Sequence, residues 1–209
     1  MHHVIHSTSP IDRKWLIDKL GKKTDTPKIA PRGDHDLNPG SHRKRILTNA
    51  AVLVPLIILT NKIEILLTRR TNNLAQHAGQ ISFPGGHVDE IDRTPEETAL
   101  RETEEETGLK RKHIDIVGRL DDYETRTGFR VTPIVATVTP PFKLSPEPGE
   151  VAEIIKLPLD FLLNPVNHRR HNTFFEGTRR EFYAINFKDH FIWGATAGML
   201  INLYEALEN

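Results

Sequence analysis

Residues 94–108, TPEETALRETEEETG, limit the possible folds of this chain more than any other stretch. Thr94 is a good N-cap. Pro95 suits the first helical position, and Glu97 stands three residues after the cap, the spacing of a capping box. Gly108 supplies a left-handed stop, so the punctuation predicts a helix over 95–107. Four glutamates crowd positions 102–106, and each close like-charge pair costs a few tenths of a kcal/mol, roughly. On a helix Glu102, Glu105 and Glu106 share one face. Ala99, Leu100, Thr103 and Thr107 form the adjoining face, small enough to pack on a sheet, while Glu97 and Glu104 point to water. Arg101 precedes Glu105 by one helical turn and can pair with it. Two readings follow: a solvated acidic face, or a cation held against it. The cluster lies beside the packing face and behind a Gly-Gly turn, which favours the cation. Carboxylate oxygens with a backbone carbonyl make a hard-oxygen site suited to Mg²⁺ or Mn²⁺.

The flanking sequence is rich in strands. NAAVLVPLIIL (49–59) and IEILLT (63–68) read as a hairpin, with Pro55 marking the first as an edge or bulged strand. QISF (80–83) is a short strand running into PGG. HIDIVGRLDDYE and RVTPIVATV read as two strands joined by the turn TRTG. PEPGE (146–150) is a loop, EVAEIIKL a strand and LDFLLN a short helix. NTFFEG and REFYAINF precede a C-terminal helix, GATAGMLINLYEALEN. Before all of these, IDRKWLIDKL (11–20) has helical spacing, and TPKIAPRGDHDLNPGSHRKR reads as a linker or a long loop. The pattern is mixed α+β with one helix lodged between strands. Residues 1–45 form an N-terminal helical extension and residues 46–209 the main domain.

Composition removes other classes. The 209 residues contain 28 basic and 28 acidic side chains, so no net charge calls for nucleic acid or a membrane. The charge is unevenly spread: ten basic against five acidic residues over 1–48, and two against nine over 86–106. With no cysteine, disulfides, thiolate metal sites and a cysteine nucleophile are excluded. The longest apolar run, AAVLVPLIIL, is far short of the ~20 residues that span a bilayer. MHHVIHSTSP has no apolar signal core and ALEN is no peroxisomal address, which leads to an expectation of a soluble, cytoplasmic protein.

The stretch from Gly86 through Asp92 to RETEEETGL resembles the Nudix box of Nudix pyrophosphohydrolases: Gly, five residues, Glu, seven residues, then Arg-Glu, an aliphatic, any, Glu-Glu, any, Gly, an aliphatic. Asp92 replaces the first Glu, eight residues precede Arg101, and Thr103 replaces an aliphatic. Upstream, ILLTRRTNNLAQHAGQISFPGG (65–86) is similar to the coenzyme A pyrophosphatase branch, which also carries the one-residue insertion. Leu66, Leu67, Thr68, Arg70, Gly79, Phe83, Pro84, Gly85 and Gly86 fit that pattern. Thr71 stands where Ser or Ala is usual, and Ala75 where a basic residue is expected. FIWGATAG, near the C-terminus, resembles the same branch, so the likeness covers roughly residues 45–205.

The resemblance implies a Nudix-like α/β/α sandwich with a mixed sheet and a Mg²⁺- or Mn²⁺-dependent hydrolase. Glu102 and Glu106 are the principal metal ligands, Glu105 a further ligand and the Gly86 carbonyl a fourth donor. Arg101 is expected to bracket the glutamates, and Glu150 to join the metals or act as base. Arg70, His77, Gln80 and Gly85 are the candidate substrate contacts. Phe174, Phe175 and Trp193 are expected in the core rather than as a base-stacking platform. The implied reaction splits coenzyme A or an acyl derivative into 4′-phosphopantetheine and adenosine 3′,5′-bisphosphate. Two alternatives stand beside it: a Nudix pyrophosphatase of nucleoside-diphosphate sugars or dinucleotides, and a nucleotide-binding module without turnover. The expected partner is a small molecule, not nucleic acid or membrane, and a homodimer is allowed. Ala75 removes one charge partner for a 3′-phosphate, so weak discrimination between coenzyme A and its 3′-dephospho form is expected.

Overall fold

The computed structural model describes residues 13–20, 31–39, 46–73, 77–175 and 177–208. A mixed sheet forms the middle layer. Its centre is β2 (Thr48–Ile58), which runs parallel to β8 (Phe129–Val138) over its whole length. On its other edge β2 meets β5 (Gly85–His87) and then β3 (Ile63–Arg70), both antiparallel. Beyond β3 lie β4 (Ile81–Ser82) and β9 (Val151–Pro158); beyond β8 lie β6 (Ile114–Arg119) and β7 (Tyr123–Glu124). The expected single strand over 113–124 is thus two strands, because the register shifts between Ile116 and Gly118 and the chain turns away after Arg119.

Pro55 does not mark an edge. Leu53 N–H donates to the Pro84 carbonyl and Leu59 N–H to the Lys62 carbonyl. Residue 55 shares their parity, so its missing N–H falls where β2 exchanges β5 for β3. A proline is tolerated in this central strand because that side has no partner at that position.

Helix α2 (Pro95–Thr107) covers one face of the sheet. Thr94 Oγ1 accepts from Glu97 N–H, while the Glu97 carboxylate accepts from Arg93 N–H, one residue before the expected capping-box donor. Gly108 closes the helix at φ 71°, in the left-handed region, with its N–H on the Glu104 carbonyl. Ala99 packs with Ala51, Leu53, Ile134 and Ala136. Thr103 and Thr107 are buried, each returning its hydroxyl to the carbonyl four residues back at 2.6 Å. The helix can therefore sit close to the sheet without an unpaired buried hydroxyl.

The other face holds the larger core. Helix α4 (Gly194–Glu208) is apolar on nearly every side. It is sandwiched by the main sheet and a second, three-stranded antiparallel sheet. That sheet is β10 (His168–Phe175), β11 (Thr178–Phe187) and β12 (His190–Trp193). Ile185, Phe187 and Ile192 turn inward to meet α4. Trp193 and Phe174 contradict the core expectation: they are 43% and 77% exposed, because alternate strand positions point outward and Phe174 nears the hairpin end. The Phe175 side chain lies outside the described residues. The short helix α3 (Leu159–Leu163) follows β9 as expected.

The N-terminal segment is built onto this core. Helix α1 (Arg13–Leu20) buries Leu16 and Leu20 completely, or nearly so. Strand β1 (Arg32–Gly33), inside the stretch expected as linker, pairs with β7 and extends the sheet. Ile11, the HRKR run and Ala75 lie outside the described residues. Among the described residues no helix is long and apolar enough to cross a membrane.

Candidate active site

The Gly-Gly turn and α2 meet at van der Waals distance. A Cβ on Gly86 would lie 2.6 Å from the Glu102 carboxyl carbon. Gly85 has φ 152° and presses its Cα on the Ala51 and Val52 backbone, a position closed to other residues. Phe83, fully buried, pins the strand leading into this turn.

Arg101 organises one half of the acidic face. Its Nη1 donates to Glu102 Oε1 at 2.8 Å and to Glu105 Oε2 at 3.1 Å. Its Nε and Nη2 grip Asp92 at 3.1 and 2.8 Å, and Nη2 also reaches the His87 carbonyl at 3.4 Å. Asp92 is nearly inaccessible and also accepts from Thr98 Oγ1 and Asp89 N–H. Its bond from Arg101 holds its carboxyl far below the usual carboxylate range, and the same pair pushes Arg101 up. Asp92 is a residue that spacing alone left without a role; the insertion places it where it can still reach Arg101 bidentately. Glu105 is mostly exposed.

Glu106 forms the other half. Its side chain is 4% exposed, and among the described residues its Oε2 has no hydrogen-bond partner and its cation is Arg70, with Nη1 3.8 Å from Oε1. Arg70 Nε is likewise buried and unpartnered. Burial pushes the Glu106 carboxyl up to about 8, Arg70 pulls it down, and the charges of Glu102 and Glu150 raise it further. Burial also raises Glu102, against the pull of Arg101. Arg69, next in sequence, faces away and pairs with Glu153 at 3.0 Å.

Glu150 arrives on a loop fixed to both neighbours. Glu147 N–H donates to the Glu106 carbonyl at 2.9 Å, and Thr71 N–H to the Glu150 carbonyl at 2.9 Å. His77 and Gln80 are brought together, ring nitrogen to amide oxygen at 2.9 Å, on the turn that follows Arg70. That turn is closed by Arg70 N–H on the Gln80 carbonyl. His77 and Gln80 thus sit on the turn joined to Arg70, apart from the Arg101 bracket.

The oxygen-only donor set, the orphaned Glu106 Oε2 and the Gly86–Glu102 contact fit a divalent cation. Among the described residues no three acidic or histidine side chains converge as they stand into a formed metal site. Arg101 holds Glu102 and Glu105, while Glu106 faces Arg70.

Residues 49–176, more than half of the chain, match the family model described as the NUDIX domain. The chain belongs to the Nudix family. A protein of Photorhabdus laumondii named an uncharacterized Nudix hydrolase NudL is 37% identical over 168 residues, covering 79% of this chain and 89% of that protein. A protein of the same name from Pectobacterium atrosepticum is 37% identical over 167 residues, covering 78% of this chain and 82% of its own. Among solved structures, a MutT/nudix family protein from Enterococcus faecalis has a TM-score of 0.50 at 17% identity. The match covers 80% of this chain and 64% of that one, and speaks for the fold alone. The mixed α+β architecture is accordingly the Nudix fold, and the protein is a Nudix pyrophosphohydrolase acting on small molecules. Nudix hydrolases generally use divalent metal ions.

Proposed function

We propose that this Nudix hydrolase uses Mg²⁺ or Mn²⁺ to split the pyrophosphate of coenzyme A or its acyl derivatives into 4′-phosphopantetheine and adenosine 3′,5′-bisphosphate. Water adds across one P–O–P link, and each product leaves with a phosphate monoester. The observation that carries the hydrolytic part is the Glu106–Arg70 pair, a buried carboxylate beside a partly buried guanidinium, each with one buried polar atom that has no partner among the described residues. The coenzyme A part rests on the resemblance of residues 65–86 to that branch.

In this reading Glu102, Glu105, Glu106 and the Gly86 carbonyl would hold the cation. Bound divalent cations make water nucleophilic and neutralise phosphoryl oxygens. Arg101 keeps Glu102 and Glu105 in register. Arg70 offers the exposed part of its guanidinium to a phosphate oxygen, a charge-assisted bond with a fixed direction. Glu150, beside Glu102 and Glu106, joins the ligands or accepts the proton of the attacking water. Gly85 lets the backbone approach the substrate, and His77 with Gln80 presents polar groups beyond Arg70. The same proposal takes residues 46–209 as the catalytic unit, residues 1–45 as an extension of it, and the cytoplasm as the location.

The test is product analysis by mass spectrometry on coenzyme A, its 3′-dephospho form, nucleoside-diphosphate sugars and dinucleotides, with Mg²⁺, Mn²⁺ or EDTA. The expected result is the two named products from coenzyme A, none in EDTA, and weak preference over the 3′-dephospho form. Turnover persisting in chelator would sink the metal reading. Cleavage of the other substrates in preference to coenzyme A would sink the substrate reading.

A further inference from the structure

Thr71 follows directly on Arg70 and makes two bonds to the loop that carries Glu150. Its N–H donates to the Glu150 carbonyl at 2.9 Å, a bond that any residue but proline can make. Its hydroxyl donates to the Gly149 carbonyl at 3.1 Å, a bond reserved for serine or threonine among residues of this size. The far side of the same loop is held by α2, through Ser145 N–H on the Thr107 carbonyl at 2.8 Å and Glu147 N–H on the Glu106 carbonyl. Between these anchors Pro146-Glu147-Pro148-Gly149 forms a turn, with Gly149 N–H donating to Glu147 Oε1 at 3.3 Å and Glu150 N–H to the Glu147 carbonyl at 3.0 Å. The prolines fix their own φ, so Gly149 is the residue of this turn with the most backbone freedom, and the Thr71 hydroxyl makes the bond that ties its carbonyl to the strand carrying Arg70.

We infer that the Thr71 hydroxyl is a latch that fixes Gly149 and so positions the Glu150 carboxylate over Glu102 and Glu106. Thr71 is a positioning residue and acts through Glu150, so the inference rests on the reading that Glu150 serves the reaction. The latch is at the surface. Water replaces the hydroxyl when it is lost, so the fold keeps its stability while the loop loses its reference point.

The experiment compares Thr71→Val, Thr71→Ser, Glu150→Gln and the Thr71→Val/Glu150→Gln double variant in the full chain with Mg²⁺. Backbone hydrogen exchange over residues 147–151 is measured beside kcat and KM. In Thr71→Val the exchange speeds up and kcat falls about 3–10-fold, the range equivalent to one net hydrogen bond, with KM within about twofold. Thr71→Ser restores both. In the Glu150→Gln background Thr71→Val lowers kcat no further, because the two changes act on one path. Unchanged exchange in Thr71→Val overturns the latch, whatever the activity. Full additivity in the double variant, or failure of serine to rescue, overturns the action through Glu150. A chain that hydrolyses no pyrophosphate would refute the function instead, and the exchange comparison alone would then decide the latch.

Discussion

The two ends of the acidic face of α2 treat charge in opposite ways. Around Arg101, one guanidinium serves Asp92, Glu102, Glu105 and the His87 carbonyl, so every charge in the bracket has a partner. Around Glu106, a carboxylate is buried with one oxygen unsatisfied and its cation 3.8 Å away. The first arrangement is what a fold does to keep a helix in place. The second is costly as it stands, since a buried charge without full pairing is unfavourable. The contrast falls within two turns of a single helix: electrostatic stress is removed around Arg101 and retained at Glu106, the proposed carboxylate ligand that Arg101 does not hold.

Breaking the stressed end should have the largest effect on rate. Glu106→Gln keeps the shape and removes the charge. Its kcat should fall ~10²-fold or more, as for other lost catalytic electrostatic contacts, with the melting temperature equal or higher. A near-normal rate in steady-state kinetics would place Glu106 in an inert face. Breaking the compensated end should act on stability instead. Arg101→Met strands the inaccessible Asp92 carboxylate and should cost about 2–3 kcal/mol in urea unfolding, whereas loss of rate without loss of stability would contradict the bracket.

The same contrast sets a pH dependence. An acid whose folded pKa is raised binds its proton more tightly in the native state than in the unfolded one. Stability conferred by that proton is present at low pH and is lost as pH rises through the interval from the ordinary glutamate value to about 8. The metal-free protein should therefore lose of order 1–3 kcal/mol relative to Glu106→Gln across that window. Parallel stability curves for the two proteins would argue against a strained Glu106. The smallest effect belongs to Glu105, mostly exposed and paired in the i,i+4 sense. Glu105→Gln should change stability by less than about 0.5 kcal/mol, read by the same unfolding titration.

Much of this contrast was visible in the order of residues. Thr94, Pro95 and Gly108 bound the helix correctly because caps act locally, and the i,i+3,i+4 spacing put Glu102, Glu105 and Glu106 on one face. Which of the three is buried was not visible, since that depends on Arg70 arriving from β3 and on the loop before β9. Asp92 could have been found by asking what the second fork of Arg101 would grip nine residues away. Pro55 points to an edge or a bulge when its strand is taken alone, whereas the exchange of neighbours along β2 is a tertiary fact. Phe174 and Trp193 depart from the core expectation for a related reason: strands outside the main sheet expose one face, and apolar content does not tell which.

The most direct measurement is the ¹³C carboxyl titration of Glu106 by NMR in the metal-free protein and again with saturating Mg²⁺. This buried, incompletely paired carboxyl should titrate at about 8 without metal. With Mg²⁺ its pKa should drop well below that, because a carboxylate must lose its proton to ligate the ion. A Glu106 that titrates in the ordinary glutamate range without metal, or whose midpoint is indifferent to Mg²⁺, would contradict the account.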